Sequence, residues 1–259
     1  MCALRGRLEP AAAVVRWPPV DFSKTARGLT GRFMFGSAAR IYDGMTDQPL
    51  WRAQVRRMLE HVGPLVRPQR VLDLGTGPGV SAFALAEALP AGSVVEGVDL
   101  SPEMIVLAKR HHRLRFPHLT GVRFHEGDAA ALAFGDHHFD LVTGHSFLYL
   151  LPEPVAVLRE VRRVLRPGAA AVFLEPSREG SLLRAARAAV QAPRAESARA
   201  DDMARFVLSM VLWRVASSAH GQMYPARVHT LGGDAGFHDI ATRSSLGGLG
   251  LQCVLTAPD

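Results

Sequence analysis

Three carboxylates stand where short apolar runs end: Asp73 in "VLDLG", Asp99 in "VEGVDL" and Asp128 in "EGDA". After the first run come Gly75, Thr76, Gly77, Pro78 and Gly79, and then the apolar stretch "VSAFALAEAL". A glycine-rich turn leading into a helix lets the backbone approach a ligand and leaves free N–H groups at the helix start. A dinucleotide fingerprint would read G-x-G-x-x-G, whereas this loop reads G-x-G-x-G with Val80 where the last glycine belongs. A carboxylate at Asp73 is costly to bury beside a pyrophosphate but suits an ammonium group. Asp99 can take ribose hydroxyls. Asp128 can accept from an adenine amino group while Ala129 leaves room for the ring. Together the three acids suit a cationic ligand that carries ribose and adenine.

The elements that must hold these residues alternate. "RVLDLG", "SVVEGVDL", "VRFHEGDA", "FDLVTGHS" and "AAAVFLEPS" read as strands, and "VSAFALAEAL", "PEMIVLAKRHH" and "EPVAVLREVRRVL" as helices, with Ser101 the N-cap and Pro102 the first position of the second helix. Strands apolar on both faces, alternating with helices, predict a parallel sheet covered by helices, with the ligand crevice beyond the carboxyl ends of the strands. Upstream, "RFMFGSAARIYDGM" and "PLWRAQVRRMLEHVG" read as helices. Leu50, Val55, Met58, Leu59 and Val62 set the period of the second, and Gly63-Pro64 stops it. Downstream, "FVLSMVLWRVA" is an almost wholly apolar helix, and "HDIATRSS" and "LQCVLTAP" are late strands flanking "LGGLG".

Composition narrows the partners. The chain of 259 residues is 48% hydrophobic, enough for one large α/β domain. Its formal charge is +6, but Lys24 and Lys109 are the only lysines and the arginines are spread along the chain, so no binding patch stands out. Cys2 and Cys253 support neither a disulfide framework nor a zinc cluster, and no metal site is expected. No apolar run approaches the roughly 18 residues of a membrane span. A cytoplasmic location is expected. The histidine pairs at 111–112 and 137–138, and Asp136, read as solvated.

The segments "VLDLGTGPG", "VEGVDLSPEMI", "FHEGDAAALAFGDHHFDLV" and "VRRVLRPGAAAVFLEPS" resemble, in order, the successive motifs of class I S-adenosylmethionine-dependent methyltransferases, over about residues 70–177. More loosely, "AARIYDGM", "LEPS" and "DAGFHDI" resemble the ubiquinone/menaquinone C-methyltransferase group. The resemblance implies an α/β fold with a Rossmann-like seven-stranded, mostly parallel sheet, helices on both faces, an antiparallel last strand and a helical lid. The expected organisation, read from the Ala/Pro-rich start and the apolar residues of the two flanking segments, is a flexible segment 1–21, an N-terminal helical lid 22–66, and a methyltransferase domain 67–259 with a lid insertion at about 181–230. The implied cofactor is S-adenosylmethionine, leaving as S-adenosylhomocysteine. Asp73 meets the methionyl ammonium, Gly75, Thr76, Gly77 and Gly79 lie along the methionine portion, and Asp99 holds the ribose. Leu100 and Met104 pack on the adenine, Asp128 and Ala129 set its amino edge, and His145 to Phe147 lie beside the sulfonium. Tyr42 closes over the cofactor.

Methyl transfer needs little covalent help, because the sulfonium methyl is already activated; the protein aligns the acceptor and excludes water. A base is needed only for a protonated nucleophile, and His145 is the first candidate, with Tyr42 the second catalytic candidate. Phe33, Phe35, Tyr149, Phe206, Met210 and Trp213 are expected to line an apolar acceptor pocket under the lid. The expected acceptor is quinone-, polyketide- or lipid-like. The alternative is a membrane-lipid N-methyltransferase, with "SLLRAARAAVQ" making peripheral contact with anionic headgroups; a non-catalytic binder of the cofactor is the third reading. Nucleic acid is not expected, since no "NPPY"-type tetrapeptide follows the fourth strand. Oligomeric state is left open.

Overall fold

The computed structural model describes residues 43–44, 46–181, 183–185, 200–218 and 221–259. Phe33, Phe35, Tyr42 and most of the expected N-terminal lid lie outside them. In chain order the elements are α1 (Pro49–Met58), β1 (Arg70–Leu74), α2 (Val80–Ala88), β2 (Val94–Asp99), α3 (Pro102–Arg115), β3 (Val122–Glu126), β4 (Phe139–His145), α4 (Pro154–Val164), β5 (Leu165–Pro176), α5 (Ala200–Ser218), α6 (Pro225–Asp234), β6 (Asp239–Ser245) and β7 (Gly250–Thr256).

They build a seven-stranded sheet in the order β3-β2-β1-β4-β5-β7-β6. The first five pair in parallel, and β7 runs antiparallel to both β5 and β6. The strand order reverses at β1, which pairs with β2 on one side and β4 on the other, so the crevice opens beyond Leu74 and His145.

Side-chain alternation explains why helices cover both faces. Val71, Leu141, Val172 and Leu174 point to one side, where they pack with Val55, Met58, Phe83 and Ile105 from α1, α2 and α3. Leu72, Leu74, Val142 and Phe173 point to the other, with Val157 and Val161 of α4 and Val228 of α6. The Ser101 hydroxyl accepts from the Met104 amide at 3.3 Å and caps α3, with Pro102 opening the helix.

A third cluster sits apart from both. Trp51 of α1 packs with Phe206 and Met210 of α5, with Ala185 and with Leu249, and Trp213 closes against them. The outer side of α5 exposes Leu208 and Val215, 57% and 63% accessible, so this helix is apolar on both sides.

Two regions depart from the sequence expectations. Residues 225–230, placed in the lid insertion, begin α6, which packs on α4, β6 and β7 as part of the sheet's own helical cover. The Gly232-Gly233 pair hides this helix in the sequence. A Cβ at Gly232 would lie 2.6 Å from Ile240 Cδ1 and 2.9 Å from Leu255 Cδ2, so the missing side chain lets the helix sit close on the strands. The histidine pairs are not simply solvated either. His112 Nε2 bonds the Leu119 carbonyl at 2.9 Å, His137 Nδ1 the Leu165 carbonyl at 3.0 Å, and His111 reaches the Pro78 carbonyl and Asp43. Asp136 pairs with Arg163 at 2.8 Å.

Candidate active site

The loop between β1 and α2 owes its shape to backbone that ordinary residues rarely adopt. Gly75, Gly77 and Gly79 have φ of 63°, 53° and 91°. Space also demands glycine at Gly75, where a Cβ would lie 2.5 Å from Cδ2 of Phe147.

Asp73 lies beneath this loop, 1% exposed. Its carboxylate accepts from Ser81 Oγ at 2.5 Å and Thr143 Oγ1 at 2.9 Å. Burial pushes its pKa up to about 6, against the pull of these hydroxyls, and the negative charge of Asp99 adds to the rise. Asp99 in turn accepts from the Gly77 amide at 2.8 Å and the Ser101 amide at 2.9 Å, and burial raises its pKa as well. Two acids held near each other, with hydroxyls and amides as their hydrogen-bond partners, suit a positively charged ligand. Asp128 follows β3, its Oδ1 accepting from the Ala130 amide at 2.8 Å, and the Gly127 amide bonds the Asp99 carbonyl at 3.0 Å, so the β2 and β3 ends are tied together. Met104 and Ala129 are buried nearby in sequence, and Leu100 is half-buried between Asp99 and the cap of α3.

At the end of β4, His145 marks the other half of the site. The Trp51 ring meets the imidazole edge-on at 5.1 Å, and the Trp213 indole lies nearly parallel to it at 6.3 Å. Trp51 is itself fixed by its Nε1 donating to Ser209 Oγ at 2.8 Å. Among the described residues, His145 Nε2 and Trp213 Nε1 are buried with no hydrogen-bond partner. Ser146 Oγ stands 3.4 Å from His145 Nδ1. Burial pushes the imidazole pKa down to about 4, so the ring is neutral around pH 7.

The structure thus gathers His145, Phe206, Met210 and Trp213 at the carboxyl end of β4, but Tyr149 belongs elsewhere. Its ring is buried in the large core that contains Phe173 and Val157, and it is not part of the Trp51 cluster. Sequence reasoning missed Trp51, although Trp51, Val55, Met58 and Val62 share one helical stripe. It also missed Ser81 and Thr143, which no sequence signal connects to Asp73, and Glu175, which was visible only as part of "LEPS". Among the described residues no three His, Cys, Asp or Glu converge as a metal site requires, and no helix is long and apolar enough to cross a membrane.

Comparison with known proteins places the chain in a family. A family profile described as "Methyltransferase domain" matches residues 66–215. The chain is 35% identical over 156 residues to the 2-phytyl-1,4-naphtoquinone methyltransferase of Synechococcus elongatus, covering 58% of this chain and 65% of that one. It is 34% identical over 151 residues to the demethylmenaquinone methyltransferase of Lactococcus lactis, covering 56% of this chain and 57% of the relative. The match thus spans less than two thirds of either relative. Among solved structures, phosphoethanolamine N-methyltransferase 2 of Haemonchus contortus with S-adenosylmethionine bound shares the fold with a TM-score of 0.62 at 16% identity, over 88% of this chain and 59% of that one.

Proposed function

The chain belongs to the methyltransferase domain family, and from that premise we propose that it moves a methyl group from S-adenosylmethionine to a small, apolar, aromatic acceptor whose polar group reaches the ring nitrogens of His145 and Trp213. S-adenosylmethionine, when bound, supplies a methyl already activated by its sulfonium. Asp73 would hold the ammonium and relieve its own burial by doing so. Asp99 would turn to the ribose, Leu100 and Met104 would flank the adenine, and Asp128 with Ala129 would meet its amino edge. Gly75 to Gly79 offer backbone rather than bulk to the methionine portion.

The observation that carries the acceptor class is the unpartnered His145 Nε2 in an aromatic setting. A buried polar atom left unpaired costs about 1–3 kcal/mol, a cost that a ligand group removes on binding. A phenolic or quinol hydroxyl can donate to Nε2 while its oxygen accepts from Trp213 Nε1. Because the ring is neutral, it is free to accept this hydrogen bond. Being weakly basic, it takes up the proton only as the methyl moves and the acceptor hydroxyl becomes acidic. The two tryptophans exclude water meanwhile. The quinone-directed relatives at 34–35% identity favour the same acceptor class.

The test has two arms. S-adenosylhomocysteine should raise the melting temperature and NAD should not, because only a ligand of the native state shifts unfolding. Methyl-labelled S-adenosylmethionine should then label a 1,4-naphthoquinol or a catechol in preference to phosphatidylethanolamine vesicles. Label in the vesicles alone would replace this acceptor reading with lipid N-methylation.

A further inference from the structure

Glu175, near the end of β5, is fully buried, yet the methyl-transfer scheme above gives it no task. Its Oε1 accepts from the amides of Phe147 and Leu148 at 3.1 and 2.9 Å, and its Oε2 from the amide of Tyr149 at 3.3 Å. Three successive backbone donors therefore converge on one carboxylate, immediately after the residue at which the chain leaves β4.

That residue, Ser146, has φ of 56°, in the left-handed region that side chains other than glycine's rarely adopt. Its amide bonds the Leu174 carbonyl at 2.8 Å. The corner separates the two contacts that matter at the site. On one side His145 meets Trp51 and Trp213; on the other Phe147 turns back so that its ring lies against Gly75 of the cofactor loop. A strained backbone conformation persists only where its surroundings over-determine it, and charge-assisted bonds to the next three amides do so here. Burial pushes the Glu175 pKa up to about 7, so little but these amides and the more distant charge of Arg227 holds the carboxylate ionised.

We propose that Glu175 is a positioning residue for methyl transfer: its carboxylate keeps the left-handed corner at Ser146 closed, and so holds His145 on the acceptor side and Phe147 on the cofactor side in fixed relation. The proposal rests on the acceptor reading of His145 and assigns the side chain that makes that reading geometrically possible.

Glu175→Gln keeps the shape but turns an N–H group toward an amide donor. Turnover should fall at least tenfold, while S-adenosylhomocysteine affinity, by calorimetry, stays within threefold. The decisive step compares Glu175→Gln combined with Ser146→Gly against Glu175→Gln combined with Ser146→Ala. Both lose the hydroxyl near His145, but only glycine relaxes at φ 56°. The glycine version should turn over at least fivefold faster, and the two Ser146 substitutions should agree within about twofold when Glu175 is intact. Amide hydrogen exchange at 147–149 in the S-adenosylhomocysteine complex should follow the same ranking without any acceptor. Wild-type turnover and exchange in Glu175→Gln, equal double variants, or parallel loss of cofactor affinity would each overturn the proposal. If the wild type methylates no aromatic acceptor, the acceptor reading fails, and the exchange ranking alone decides for or against Glu175.

Discussion

The imidazole of His145 and the indole of Trp213 lie within 9° of parallel with their centroids 6.3 Å apart, and each carries a buried ring nitrogen without a partner. One ring comes from the end of β4 and the other from α5, so the sheet and this helix meet at two polar atoms in apolar surroundings.

Trp213→Ala should therefore damage acceptor use far more than cofactor binding. Losing an aromatic wall and its N–H is worth about 1.5–3 kcal/mol, or roughly 10- to 100-fold in kcat/KM for the acceptor. Calorimetry should find S-adenosylhomocysteine affinity within about threefold of wild type. Equal losses on both sides would mean that α5 supports the cofactor rather than the acceptor.

Cofactor binding should depend on pH through Asp73. Its pKa of about 6 in the free protein must fall when an ammonium arrives, so binding below about pH 6 releases a proton. Affinity should then rise with pH by up to about tenfold per unit until about pH 6 and level off above it. Titrations in buffers of different ionisation heat should register this proton at about pH 5 and none at about pH 7.5. Asp73→Asn should abolish the release; if the variant still loses a proton, the ammonium sits elsewhere.

Stability in acid should show His145. With a folded pKa of about 4 against an ordinary 6.5, the unfolded chain binds the proton first as pH falls. The contribution is present in full above about pH 6.5 and lost progressively down to about pH 4, on the order of 3 kcal/mol in all. Denaturant unfolding of His145→Leu across this range, subtracted from wild type, should isolate that slope. A flat difference would show that the imidazole is open to solvent.

Much of this was legible from periodicity. Strands apolar on both faces and the Ser101-Pro102 helix start follow from local sequence, and so did the order of the acids along the chain. What was not legible depends on contacts between distant segments. Thr143 bonds Asp73 only because β4 lies beside β1, and Glu175 reaches Phe147–Tyr149 only because β5 lies beside β4. The α6 helix was hidden for the opposite reason: Gly232 reads as a helix breaker, while close packing on Ile240 needs that glycine. Tyr149 follows β4 closely in sequence, but the turn at Ser146 and the pull of Glu175 set its ring in the large core rather than in the Trp51 cluster.

The order of the final strands bears on how the chain is made. β7 follows β6 in synthesis, yet it stands between β6 and β5 and supplies the hydrogen-bonding edges that each of them needs. Until β7 has been made, β6 has no neighbour in the sheet, because β7 is the strand that joins it to β5. Until then Leu174 and Phe173 on β5 remain without their antiparallel partners, Gln252 and Cys253. The sheet thus has a parallel part whose strands pair with segments already made and an antiparallel edge that needs the last strand before it can be completed.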